Sequence, residues 1–120
     1  MSKPDRAVSI HPYFAVKEGK LPEFTEVCER LLAVASAEPG CLYYGFSFSG
    51  HEAFCREGYE NAEALLVHVE HIDALLKEML QYSAISRLEI HGPEEELAKL
   101  REPLSAIGPT YYALQLGMRQ

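Results

Sequence analysis

A chain of 120 residues with 48% hydrophobic and 24% charged side chains can bury a core of its own, which excludes both a disordered segment and a small scaffold that needs disulfides or a structural metal. Its formal charge of −7, with eleven scattered Lys and Arg, excludes the basic face that a nucleic-acid backbone or an anionic membrane requires. Cys28, Cys41 and Cys55 form no CxxC pair and read as reduced thiols; with a polar start at Met1–Arg6, no signal-like run behind it and no stretch of bilayer length, a cytoplasmic protein is expected.

From Ala7 to Phe14 the residues Val8, Ile10, Tyr13 and Phe14 predict a first strand, and Pro12, which lacks a ladder donor, predicts a bulge or an unpaired end. After the turn Lys17-Glu18-Gly19-Lys20, with Pro22 suited to a first helical turn, Leu21, Phe24, Val27, Cys28, Leu31, Leu32 and Ala35 recur at helical spacing up to Pro39-Gly40. Cys41 to Ser49 then alternates, setting Leu42, Tyr44, Phe46 and Phe48 against Cys41, Tyr43, Gly45 and Ser47. A turn at Ser49–Glu52 leads to a third strand ending near Tyr59. Asn61 is a good N-cap for one unbroken helix from Ala62 to Leu80, and Tyr82 to His91 reads as a fourth strand.

The order βαββαβ is the ferredoxin-like split arrangement of an α+β fold, with one sheet face under two helices. The other face carries large residues such as Tyr43 and calls for cover, which a symmetric dimer packed sheet on sheet provides, giving a dimeric α/β barrel. Beyond a core at about 7–91, an extension at about 93–117 completes a single domain spanning 1–120. It holds a helix with Glu94, Glu95 and Glu96 in its first turn and an apolar edge of Leu97, Leu100 and Leu104. A strand from Thr110 to Gly117 follows, on this sheet's edge or the partner's.

On the second helix, Leu65, Ile72, Leu75, Leu76 and Met79 form a stripe that includes His68, with His71 at its edge. A buried imidazole is neutral near pH 7 and can act as a general base; the alternative is a core histidine bonded to a carbonyl or a Tyr hydroxyl. Tyr43, Tyr44, Tyr59 and Tyr82 lie on strands or a strand entry, where a hydroxyl can reach a ligand or a ring can simply fill core or interface. Glu57 shares a strand face with Cys55 and Tyr59, and if buried it needs Arg87 or another donor. His68 and His71 lack a third metal ligand, Cys28 reads as a small core residue, and neither a Gly-rich phosphate loop nor a GxSxG elbow is present.

Four stretches resemble the antibiotic biosynthesis monooxygenase domain family. They are Val16-Lys17-Glu18-Gly19-Lys20 to Phe24; Glu38-Pro39-Gly40-Cys41-Leu42; Glu57-Gly58-Tyr59 with Ala62-Glu63-Ala64-Leu65 and His68; and His91-Gly92-Pro93 through Leu97, Leu100 and Pro103. The resemblance spans about Val8 to Tyr112 and implies a homodimeric barrel with a cavity between helices and sheet. It further implies a cofactor-free, metal-free monooxygenase of a small phenolic or quinol-type molecule, with His68 as catalytic base and Tyr44, Tyr59, Tyr82 and His11 as substrate contacts. His11 falls near a strand-one position where several relatives carry Asn. The chain has no Trp, so the chemistry of relatives with a Trp in the pocket does not carry over. The same fold also admits a non-catalytic dimer that binds a small ligand or serves assembly, and haem binding or degradation.

Overall fold

Strict alternation builds the central strand of the protein, whose computed structural model describes residues 5–120; of the polar start, residues 1–4 lie outside the described part. β1 (Val8–Val16) buries Val8, Ile10, Pro12, Phe14 and Val16 on one face. The strand runs on past Pro12, and its irregularity falls one residue later, where the register against the fourth strand shifts between Tyr13 and Phe14. α1 (Leu21–Ser36) has Pro22 in its first turn and buries Phe24, Val27, Cys28, Leu31 and Ala35, the stripe its spacing predicts.

β2 (Cys41–Ser49) and β3 (Glu52–Tyr59) form a hairpin turned at Gly50, whose φ of 60° favours a residue without Cβ. The expected alternation of β2 fails at its start. A register shift between Cys41 and Tyr43 lets Cys41 pack against the core and leaves Leu42 exposed. The hairpin joins β1 and β4 (Ser83–Gly92) in the sheet order β2-β3-β1-β4-β5, with β1 antiparallel to both β3 and β4.

The long second helix is two helices, not one. α2 (Ala62–His71) is capped by the Asn61 side chain, which accepts the Ala64 N–H at 2.9 Å, and α3 (Asp73–Met79) follows after an interruption at Ile72, with φ −101° and ψ 6°. Hydrogen bonds bridge the break, from the Ile72 N–H to the His68 carbonyl and from the Leu76 N–H to the Ile72 carbonyl. Asp73 starts a new first turn, where its charge suits the helix dipole, while Ile72 itself is turned toward the sheet.

After α4 (Glu94–Leu100), β5 is only Thr110–Ala113, shorter than the Thr110–Gly117 strand that alternation predicts, and it pairs parallel to β4 of its own chain. Beyond Ala113 the ladder stops, and Leu116 is 94% exposed. α4 packs Leu97, Leu100 and nearby Leu104 against Val8, Tyr59, Leu65 and Ile90, and buried Glu96 accepts the Ala62 N–H at 2.9 Å, anchoring the start of α2. The fold is therefore ferredoxin-like α+β with a five-stranded mixed sheet. Among the described residues no helix is long and apolar enough to cross a membrane.

The start of β2 and the first turn of α2 touch closely. A Cβ built on Gly40 would lie 2.6 Å from the Ala64 Cβ, whereas one on Gly45 would meet nothing within 4 Å. Gly40→Ala is expected to lower stability by roughly 1–3 kcal/mol through overpacking, and Gly45→Ala by clearly less; equal urea midpoints for the two variants would refute the close approach.

Candidate active site

Helical spacing places His68 on the sheet-facing side of α2 with Ala62 and Leu65, and its side chain is 2% exposed. Its Nδ1 lies 2.6 Å from Oε1 of Glu38, the residue before the Pro39-Gly40 hinge. A carboxylate accepts, so Nδ1 carries the hydrogen and Nε2 presents its lone pair. The other oxygen of Glu38 accepts from Nδ1 of half-exposed His71 at 2.7 Å.

Among the described residues, Nε2 of His68 has no hydrogen-bond partner. Across from it, at 3.7 Å, stands Oε1 of buried Glu57, which accepts the Tyr59 hydroxyl at 2.6 Å. The rings of Tyr44 and Tyr59 lie 5.2 and 5.3 Å from the imidazole. His68, Glu57 and Tyr44 form the polar end of a cavity of about 150 Å3 between the sheet and α2–α3. Cys55 and Asp73 apart, its other walls are apolar side chains including Ile10, Phe14, Phe46, Ile72, Leu76 and Ile107, and the fully buried Tyr59 does not line it. A wider groove of about 460 Å3 runs between the strand ends and the C-terminal arm, but it is open to solvent and contains neither His68 nor Glu57.

Burial sets the charges. Desolvation holds the His68 pKa below the ordinary histidine value against the opposing pull of Glu38, so the ring is neutral near pH 7. Desolvation also raises the Glu57 carboxyl to about 7, even though hydrogen bonds from Tyr59 and Cys55 favour its ionised form. Both phenols beside the imidazole, Tyr44 and Tyr59, are pushed up by burial and by the Glu57 charge and stay protonated. The Cys28 thiol, pushed up to about 12 by burial, is no nucleophile. A neutral base and a carboxyl poised to gain or lose its proton at about pH 7 thus share one small space, which is an arrangement for moving a proton.

Of the residues singled out in the sequence, His68 and Tyr44 line this cavity, Tyr59 meets it only through its hydrogen bond to Glu57, and two lie elsewhere. His11 is on the opposite face of β1, because odd-numbered residues of that strand point away from Ile10, Pro12 and Phe14. It bonds Ser9 at 2.7 Å and lies 4.6 Å from the ring of His91. Tyr82 precedes β4, packs beside the α1 cluster and does not line the cavity. The donor that buried Glu57 needs is the Tyr59 hydroxyl rather than Arg87, which is exposed and pairs with Glu89. Glu38, which the sequence marks only as part of a stretch resembling the family, joins the site from the loop after α1. Among the described residues no group of three His, Cys, Asp or Glu side chains is placed to hold a metal ion.

Residues 7–82 match the model of the antibiotic biosynthesis monooxygenase family. The chain belongs to that family. Its structure is similar to that of MupZ from Pseudomonas fluorescens, at 42% identity over 96% of this chain and 95% of that one, with a TM-score of 0.92. More distant solved structures share the fold over less of the chain. SnoaB, a cofactor-independent oxygenase from Streptomyces nogalater, is 14% identical over 71% of this chain and 90% of its own, with a TM-score of 0.63. Rv0793 from Mycobacterium tuberculosis is 19% identical over 72% and 94%, with a TM-score of 0.65. No curated protein matches the sequence.

Because the folded state holds the Glu57 proton from an ordinary value of 4.5 up to about 7, the fold binds more protons than the unfolded chain across that window, and stability falls as pH rises through it. Glu57→Gln removes the charge and is expected to be more stable, relative to the native protein, at pH 8 than at pH 5, by on the order of 3 kcal/mol. Urea titrations at the two pH values check this, and parallel losses at both would contradict a carboxyl held neutral by burial.

Proposed function

We propose that this family member is a cofactor-free monooxygenase of a small, single-ring phenol or hydroquinone, with His68 as its general base. The observation that carries the reading is the unpartnered Nε2 of a buried, neutral imidazole opening onto an apolar cavity. A dry apolar cavity of ~150 Å3 accepts a benzene ring, so the space in front of His68 suits one aromatic ring. The 3.7 Å between Nε2 and Glu57 Oε1 lets one oxygen atom stand within hydrogen-bonding distance of both.

In this mechanism the substrate hydroxyl donates to Nε2 and accepts from protonated Glu57. Transfer of its proton to His68 leaves an electron-rich ring that passes an electron to dioxygen directly. Recombination at a ring carbon that bears hydrogen, para to the oxygen in a phenol and ortho to it in a hydroquinone, followed by loss of water, gives a para-quinone or a hydroxy-para-quinone; one oxygen atom enters the ring, the other leaves as water, and no outside reductant is consumed. The apolar walls keep bulk water from the anion, and Tyr44 and Glu57 supply hydrogen bonds at its polar end. The family's name and SnoaB's description as a cofactor-independent oxygenase support dioxygen as the second substrate.

One observation favours a second reading. A carboxylic acid this close to a base can return a proton to the substrate at another atom, giving an isomerisation with no oxidation.

For the assembly, we infer a homodimer closed over the outer sheet face, where Tyr13 and Phe54 pack 4.7 Å apart and exposed Arg56 lies over the Tyr43 ring. The three free thiols suit a reducing cytoplasm.

Oxygen uptake over a panel of monocyclic phenols and hydroquinones tests the reaction. One uptake per quinone is expected, with His68→Gln at least 100-fold slower; turnover that persists under argon would establish the isomerase reading, and no turnover with or without oxygen would overturn both. The rate should climb as pH rises through the depressed His68 pKa and fall again as Glu57 loses its proton at about pH 7. Sedimentation tests the assembly: a dimer is expected, and Phe54→Glu should shift it to a monomer.

A further inference from the structure

We infer that Glu38 is the positioning residue of this site: from the α1–β2 hinge it fixes the hydrogen of His68 on Nδ1, and so keeps the base apart from the acid of Glu57. The inference rests on the reading of His68 as the base.

The geometry carries the argument. A neutral imidazole in water favours its hydrogen on Nε2, the nitrogen that here must be bare to take a substrate proton. With the hydrogen there, Nε2 would point a donor at Glu57 Oε1, now 3.7 Å away, and the two would pair across the gap that a substrate oxygen has to enter. Glu38 Oε1, at 2.6 Å from Nδ1 and with its side chain 8% exposed, makes that tautomer costly, because it would leave a buried carboxylate facing a ring lone pair. His71 completes the device. By donating to Oε2 at 2.7 Å, it holds the second carboxylate oxygen and prevents Glu38 from turning away.

Every polar group that faces the imidazole has a place in this scheme. Glu38 comes from the hinge, His71 from the same helix, Tyr44 from β2, and Glu57 with Tyr59 from β3. Among the described residues only Glu38 bonds the ring directly. The Tyr59 hydroxyl is spent on Glu57. A carboxylate on Nδ1 also strengthens Nε2 as a base, and Glu38 is the largest opposing influence against the desolvation that lowers the His68 pKa.

The test uses the full chain without substrate, by long-range 1H–15N NMR of the imidazoles across a pH titration. In the native protein His68 should show a protonated Nδ1, a bare Nε2 and a midpoint below 6.5. In Glu38→Ala the ring should switch to the Nε2–H form. In Glu38→Gln, whose carbonyl still accepts from Nδ1, the tautomer should hold while the midpoint falls by about one unit or more. A residue that merely ties the hinge to α2 would lower the melting temperature of Glu38→Ala and leave the tautomer unchanged, and that result overturns the inference. If Glu38→Ala fails to fold, an unmoved midpoint in Glu38→Gln overturns it alone. Failure of the oxygenase reading is separable, since it would appear as absent turnover with the native NMR pattern intact.

Discussion

A carboxylate taken out of water must be met by donors, and in this protein the Glu38 carboxylate is met by two imidazoles from one helix. That contact reaches across 30 residues of sequence and ties the end of α1 to the middle of α2. It depends in turn on backbone proximity, because the hinge can approach α2 only where Gly40 presents no side chain to Ala64. The Asn61 cap and the Glu96 carboxylate hold the first turn of α2 from two more directions. The helix that carries His68 is therefore fixed at its start and at its centre, and the imidazole has little freedom left.

The cavity exists because the layers above and below it disagree in shape. Even-numbered residues of β1 and the inner face of β2 and β3 form one wall. Ile72, at the interruption, with Leu76 and Met79 of α3, forms the other. The segment after residue 82 lies outside the span of the family model, yet it contributes Leu88 and Ile107 to the lining and α4 to the support of α2. MupZ matches over this segment as well, whereas SnoaB and Rv0793 match about seven tenths of the chain. This end of the molecule is thus part of the pocket's wall.

Much of this was legible in the residues. Period-two and period-3.6 patterns gave the strands, α1 and the inward turn of His68, since those signals report which face is dry. The break at Ile72 carried no Pro or Gly to announce it. His11 was misplaced even though strand parity held the answer: an odd-numbered position cannot share a face with Ile10 and Phe14. Glu38 was hidden for another reason. A carboxylate next to Pro-Gly looks like solvent-facing hinge, and only the tertiary approach of the hinge to α2 gives it two histidines. A donor pair at i, i+3 on α2 with no acceptor in its own helix was the available clue.

The lining of the cavity has two unequal halves, one small and polar around His68, Glu57 and Tyr44, the other long and greasy. Such walls discriminate unevenly. Adding or removing a methyl group on the greasy side alters recognition by only about 1–3 kcal/mol, while a molecule without the hydroxyl leaves buried polar atoms stranded and is rejected far more sharply. The site is accordingly strict about one oxygen atom and lenient about the rest of the molecule that bears it.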